Sequence, residues 1–133
     1  MILESICQWI ENNSSLIIGN TLIYGHRMEK TADRCILASE VSPGASDFYL
    51  PDRADKIVTF VSRSESYQEA NRDLQDLFDL IHGSSGWNLP AIESGILYHA
   101  CVMQSVGLPT YLGQDERNLH EFSCAFEFKI QKI

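Results

Sequence analysis

Apolar positions recur along this chain with two different periods, and the period assigns the elements. In residues 2–11, Ile2, Leu3, Ile6, Cys7 and Ile10 stand three and four apart, which makes one face of an amphipathic helix. The polar run Asn12-Asn13-Ser14-Ser15 ends it. Three short β-like runs follow, at 16–18, 21–24 and 34–41, and the segment between Tyr24 and Arg34 reads as a hairpin connection. Residues 42–55, with two prolines and a glycine, have no period and are expected to form a long loop. Residues 56–62 are rich in β-branched side chains and apolar on both faces, as in a central strand.

The next element is the clearest. Over 66–82 the residues Tyr67, Ala70, Leu74, Leu77, Phe78 and Ile81 form one apolar stripe of a long helix. Ser66 and Glu69 fit a capping box, and Gly83 stands where a C-cap glycine belongs. Residues 87–90 suit a sheet edge, because Pro90 cannot donate to a ladder. Residues 94–106 read as a strand if the period is 2, with a helix as the alternative. Gly107-Leu108-Pro109 breaks that run, and 110–118 is expected to be a polar loop. From Leu119 to Ile130 the alternation is clean, with Phe122, Cys124, Phe126, Phe128 and Ile130 on one face. Runs of strands with few helices indicate α+β: a mixed, largely antiparallel sheet of four to six strands with two main helices packed on it. At 133 residues the chain is expected to be a single domain, long enough to bury a core without disulfides or metal.

Charge and candidate chemistry narrow the function classes. Ten basic against eighteen acidic residues give a net charge of −8, which argues against a phosphate-backbone binder. The N-terminal segment lacks a basic region before its apolar residues and does not read as a secretory signal; no run approaches the length of a membrane span. Cys7, Cys35, Cys101 and Cys124 are scattered among apolar residues and read as small buried hydrophobes in a reducing compartment. No nucleotide-binding, zinc, calcium or nucleophile-elbow motif is present, so neither a catalytic set nor a cofactor is predicted.

Weaker features have bland readings beside the sharp ones. His99 and His120 fall on adjacent predicted strands and could face each other, although a lone histidine is more often structural. Asp73, Asp76 and Asp79 could form a cation site or a docking surface; helical charge runs are more often solvated faces. Trp9 and Trp87 are candidate interface anchors, and at least one is expected in the core. Asp115-Glu116-Arg117 could pair within the chain or across a subunit boundary, against the plain reading of an exposed ion pair.

The C-terminal part carries a resemblance. A strand and long helix (KIVTFVSRSESYQEANRDLQDLFDLI) precede a Gly/Ser turn, a strand, Pro109, the loop Tyr111–Arg117 and a final alternating strand, HEFSCAFEFKI. This pattern, over about residues 56–130, resembles the small minor capsid and tail-terminator proteins of tailed bacteriophages. Pro109, Leu112, Gly113, Asp115 and Glu116 match the family's proline–aliphatic–Gly–x–Asp–x–x–Arg-like loop in kind. Arg117 comes about one position early, and Asn118 stands where the arginine is expected.

The resemblance implies a non-enzymatic virion protein at the head–tail junction, assembled in the bacterial cytoplasm. Copies of itself would form a ring, commonly a hexamer, that stops tail-tube growth and meets head connector proteins. It implies no sequence-specific nucleic-acid contact and no membrane contact, and the net negative charge would let DNA pass without sticking. The 42–55 and 111–117 segments are the expected subunit or partner contacts, through Phe48, Tyr49, Arg53, Gly113, Asp115, Glu116 and Arg117. The first of these segments reads as an arm that orders on docking. An acidic adaptor or inhibitor that binds one protein partner is the second reading. A small ligand-binding or hydrolytic domain around His99 and His120 is the third.

Overall fold

The computed structural model describes residues 2–25, 33–46, 53–82, 84, 86–89 and 98–132. In chain order the elements are α1 (Ile2–Asn12), β1 (Leu22–Tyr24), β2 (Cys35–Ser46), β3 (Arg53–Ser64), α2 (Tyr67–His82), β4 (Trp87–Leu89), β5 (Tyr98–Gln114) and β6 (His120–Lys132). Among the described residues the strands form one six-stranded sheet in the order β1-β2-β3-β6-β5-β4. Every pairing is antiparallel except β1 with β2, so the fold is α+β with a mixed, largely antiparallel sheet.

The period-3.6 stripes and the period-2 alternation meet in one core. Leu3, Ile6, Cys7 and Ile10 of α1 join Ala70, Leu74, Leu77, Phe78 and Ile81 of α2 over Ile36, Ala38, Val58, Phe60 and the buried parity of β6. Residues of the other parity, among them Leu37, Ile57, Thr59, Val61, Ser123 and Ala125, are half-buried. Both helices therefore cover the same face of the sheet. Trp9 of α1 stacks on Trp87 of β4 at 3.6 Å between ring centroids, and Trp87 also meets Phe128. Trp87 is buried and Trp9 packs at the rim of the core, as expected for this pair.

Helix ends are closed by local side chains. Asn13 donates through its backbone N and its Nδ2 to the Trp9 carbonyl, and Ser14 Oγ donates to that of Ile10. These bonds satisfy carbonyls that the last turn of α1 leaves open. At the start of α2, Glu69 N donates to Ser66 Oγ, which is half of the expected capping box. The other half is rerouted. Ser64 Oγ accepts from Ser66 N and donates to Glu69 Oε2, so Ser64 stands between the two partners. At the far end, Ser84 Oγ donates to the Ile81 carbonyl and accepts from Trp87 Nε1, tying α2 to β4; Gly83 lies outside the described residues. Ser62, fully buried under α2, donates to the Ala70 carbonyl, so no polar orphan is left there.

Four expectations are corrected. The Tyr24–Arg34 segment does not link a hairpin, because β1 and β2 are parallel. Residues 16–18 form no strand; Ile18 makes only an isolated bridge to Leu22. The 42–55 segment is not one loop: β2 continues through Ser46 and β3 begins at Arg53. Register shifts at Glu40/Ser42 and Ser42/Ala45 absorb Pro43 and Gly44, a common device in an outer strand. Finally, β5 does not stop at Gly107. It runs through Pro109 to Gln114 with register shifts at Ser105/Gly107, Gly107/Thr110 and Tyr111/Gly113, leaving a turn at 115–118 where a nine-residue loop was expected.

Candidate functional site

The β5–β6 turn is built by one carboxylate. Asp115 Oδ1 accepts from the backbone N–H groups of Arg117 at 2.8 Å and Leu119 at 2.9 Å. Asp115 N donates to the Leu119 carbonyl, and Asn118 N to the Asp115 carbonyl. Asn118 sits at φ 61°, the left-handed region that asparagine tolerates better than most side chains. That conformation explains asparagine at the position where the resembled loop has arginine. Gly113, the next-to-last residue of β5, has φ 111°, a backbone conformation open mainly to glycine.

Two arginines tie this turn to the rest of the chain. Arg63, almost fully buried, donates through Nε to the Asp33 carbonyl and lies 3.9 Å from Asp115 Oδ2. Arg117 reaches Asp33 Oδ1 at 2.8 Å. Partial burial pushes the Asp115 carboxyl up. The two backbone N–H groups, with Arg63 and Arg117, more than offset this and hold it below its ordinary value.

Of the expected contact residues, the structure gathers Gly113, Asp115, Glu116 and Arg117 at this turn. The inward hydrogen bonds of Asp115 organise the turn, while Glu116 is exposed and Arg117 is 58% exposed despite its pair with Asp33. Arg53 opens β3 opposite Gln131 of β6. Phe48 and Tyr49 lie outside the described residues. Tyr111 and His120, which flank the turn, are joined by a 2.9 Å hydrogen bond between the phenol and Nδ1. Tyr67 of α2 packs on both of them and on Phe122, while remaining 49% exposed.

The other candidates separate. His99 is opposite Gln131 and His120 is opposite Gln114, at the two ends of the β5–β6 ladder, so the histidines do not face each other. Asp73 is taken up by Arg34, whose Nε and NH2 each lie 2.9 Å from a carboxylate oxygen, and Asp79 accepts from Gln75. Beside Asp73 are two shallow clefts of about 240 and 280 Å³, which share Ser15, Leu16 and Asp73 and are lined by no histidine. Among the described residues no group of three or more His, Cys, Asp or Glu is placed to hold a metal. Burial pushes the Cys7 and Cys124 thiols up to about 12, with Glu4 adding to the effect at Cys7, so both are neutral and inert at physiological pH.

One feature was missed in the sequence. Val106, Leu108, Tyr111 and Leu112, all on the second half of β5, are large apolar residues with 41–71% exposure, and Ile17 before β1 is 56% exposed. The signal was there in Val106, Leu108 and Leu112, which break an otherwise polar stretch without joining either period.

Large apolar side chains left in water along one strand suit a surface that meets another protein. Residues 9–132 match the family described as bacteriophage tail terminator protein, and the chain belongs to that family. No curated protein matches the chain. Membership makes it a non-enzymatic structural component of the phage tail.

Proposed function

We propose that copies of this chain assemble as a ring on the end of the tail tube, stop its polymerisation and present the opposite face to head connector proteins. The match over residues 9–132 carries this reading, since it spans both helices and all six strands except the start of α1 and includes the Asp115 turn. The net charge of −8 is compatible with a channel through which DNA passes without adhering. Contacts with other subunits or with partners are assigned to the segment carrying Phe48, Tyr49 and Arg53 and to Glu116 and Arg117 at the β5–β6 turn. Asp115 and Gly113 act there by shaping the turn. An adaptor role for the acidic face of α2 is less well supported, because Asp73 is already neutralised by Arg34.

The test is to add the purified chain to tail-tube protein of the same phage during tube growth and image the products by negative stain. Tubes of limited length with a ring on one end are expected. Tubes that elongate as they do without the chain, and carry no ring, would sink the reading. The double change Glu116→Ala with Arg117→Ala is expected to lower ring occupancy while the far-ultraviolet circular dichroism stays unchanged.

A further inference from the structure

We propose that the subunit contact is lateral and head-to-tail: the outer edge of β5 around Val106, Leu108 and Leu112 receives Ile17 and the β1 edge of a second copy standing the same way up. The proposal rests on the ring reading above and assigns its copy-to-copy surface.

The sheet register places the two surfaces at one height. Leu22 of β1 is opposite Ile36, which is opposite Ser62, then Phe122, then Tyr111. One row therefore runs from the β1 edge to the exposed half of β5. The next row ends in Ile23 on one side and Thr110 on the other. The far end of the sheet is offset by a strand. There the row runs from Ser46 through Ala54, Ile130 and Ala100 to Trp87, with β4 at one edge and β2 at the other. Among the described residues both edges are thus stepped: β1 projects where β4 is absent, and β4 projects where β1 is absent. Two copies at the same level fit together with β1 of one filling the notch below β4 of the other.

Strand direction agrees with this fit. Three antiparallel steps separate β2 from β5, and β1 is parallel to β2, so β1 runs antiparallel to β5. With both copies the same way up, the seam continues the antiparallel order, the more favourable pairing.

The exposed apolar residues fall on these edges. Leu108 is 71% exposed, and Val106 and Leu112 are each 58% exposed. Ile17 is pinned to the start of β1, because its carbonyl accepts from Asn20, Thr21 and Leu22 and its N–H donates to Thr21 Oγ1. Large apolar side chains gathered in water at an edge mark an interaction surface. Pro109 offers no N–H there, and Thr110 Oγ1 already donates to the Leu108 carbonyl. The seam is therefore made mainly by side chains over a short stretch. The two edges differ, so the contact is heterologous: each copy uses both, and repeated rotation closes a ring.

The test uses full-length chains carrying Ile17→Cys or Leu112→Cys, the residue level with the start of β1, mixed under mild oxidation, with wild type and Gln75→Cys as background controls. A covalent dimer is expected from the mixture well above either variant alone, and a ladder of multimers from the double variant. As much dimer from one variant alone, or none above the controls, overturns the contact. In parallel, Leu108→Asp with Leu112→Asp should weaken self-association about tenfold or more, because an unpaired carboxylate would be buried at the seam. Wild-type rings that persist in this variant overturn the contact and leave the ring reading standing. A wild-type chain that assembles neither alone nor on tail tubes overturns both.

Discussion

β6 and β5 are hydrogen-bonded neighbours of similar length, yet they obey different rules. β6 pairs with β3 over twelve successive residues without a register shift, and its buried parity of Phe122, Cys124, Phe126, Phe128 and Ile130 is unbroken. β5 takes four register shifts against β6, carries Gly107 and Pro109 within the strand, and exposes Val106, Leu108 and Leu112. The difference follows from their neighbours. A strand with partners on both sides and a core on one face must keep its register, because a slip of one residue would turn its apolar set outward. A strand partnered along most of its length on one side can bulge, accept proline and hold side chains ready for a second chain.

The sharpest way to break this comparison is truncation on each strand. Phe126 is fully buried and meets Phe60, Phe78 and Phe128. Phe126→Ala is expected to cost about 3–5 kcal/mol of stability in denaturant unfolding. Leu108→Ala should fall within about 0.5 kcal/mol of wild type, as surface changes do. Equal losses would mean that the second half of β5 is core after all.

The turn joining the strands comes next. Asp115→Ala strips acceptors from the N–H groups of Arg117 and Leu119 and should cost about 1–2 kcal/mol by the same assay, close to the loss of a helix cap. The same carboxylate gives a smaller, pH-dependent effect. Its folded pKa lies below the ordinary value of 3.8. Its contribution is therefore fully present above that value and is lost as pH falls through the folded pKa. Asp115→Asn should flatten the stability profile in that acid window and leave its shape at neutral pH unchanged. A slope identical to wild type would remove the assigned role. The smallest change is expected at Arg34, which is half exposed: Arg34→Ala should cost no more than about 1 kcal/mol, and less in high salt. A larger, salt-independent loss would place the Arg34–Asp73 pair among the supports of the core.

Elements bearing an uninterrupted period were legible in the amino-acid sequence. The stripe of α2 is buried as its spacing requires, except that Tyr67 leans outward onto Tyr111 and stays half in water. α1 and β6 likewise follow their patterns, because burial against a single core imposes one period per element. Glycine and proline misled the reading. They mark loops in most chains, but in β2 and β5 they fall at register shifts in strands that continue beyond them. The histidine pair failed for a similar reason: adjacency of strands says nothing of register, and the register places His99 and His120 at opposite ends.

The amino-acid sequence by itself determined the two amphipathic helices, the alternating strand β6, the acidic balance and the Pro109–Arg117 segment that carries the family likeness. These depend on spacing along the chain, which local geometry converts directly into a face or a turn. Only the tertiary structure decided that β1 runs parallel to β2, that Asp115 turns inward to build its own turn, and that Leu22 of β1 and Tyr111 of β5 lie in one row on opposite sides of the sheet. Those outcomes depend on which strands pair and in what register, and pairing joins residues far apart in sequence through backbone groups that every residue possesses.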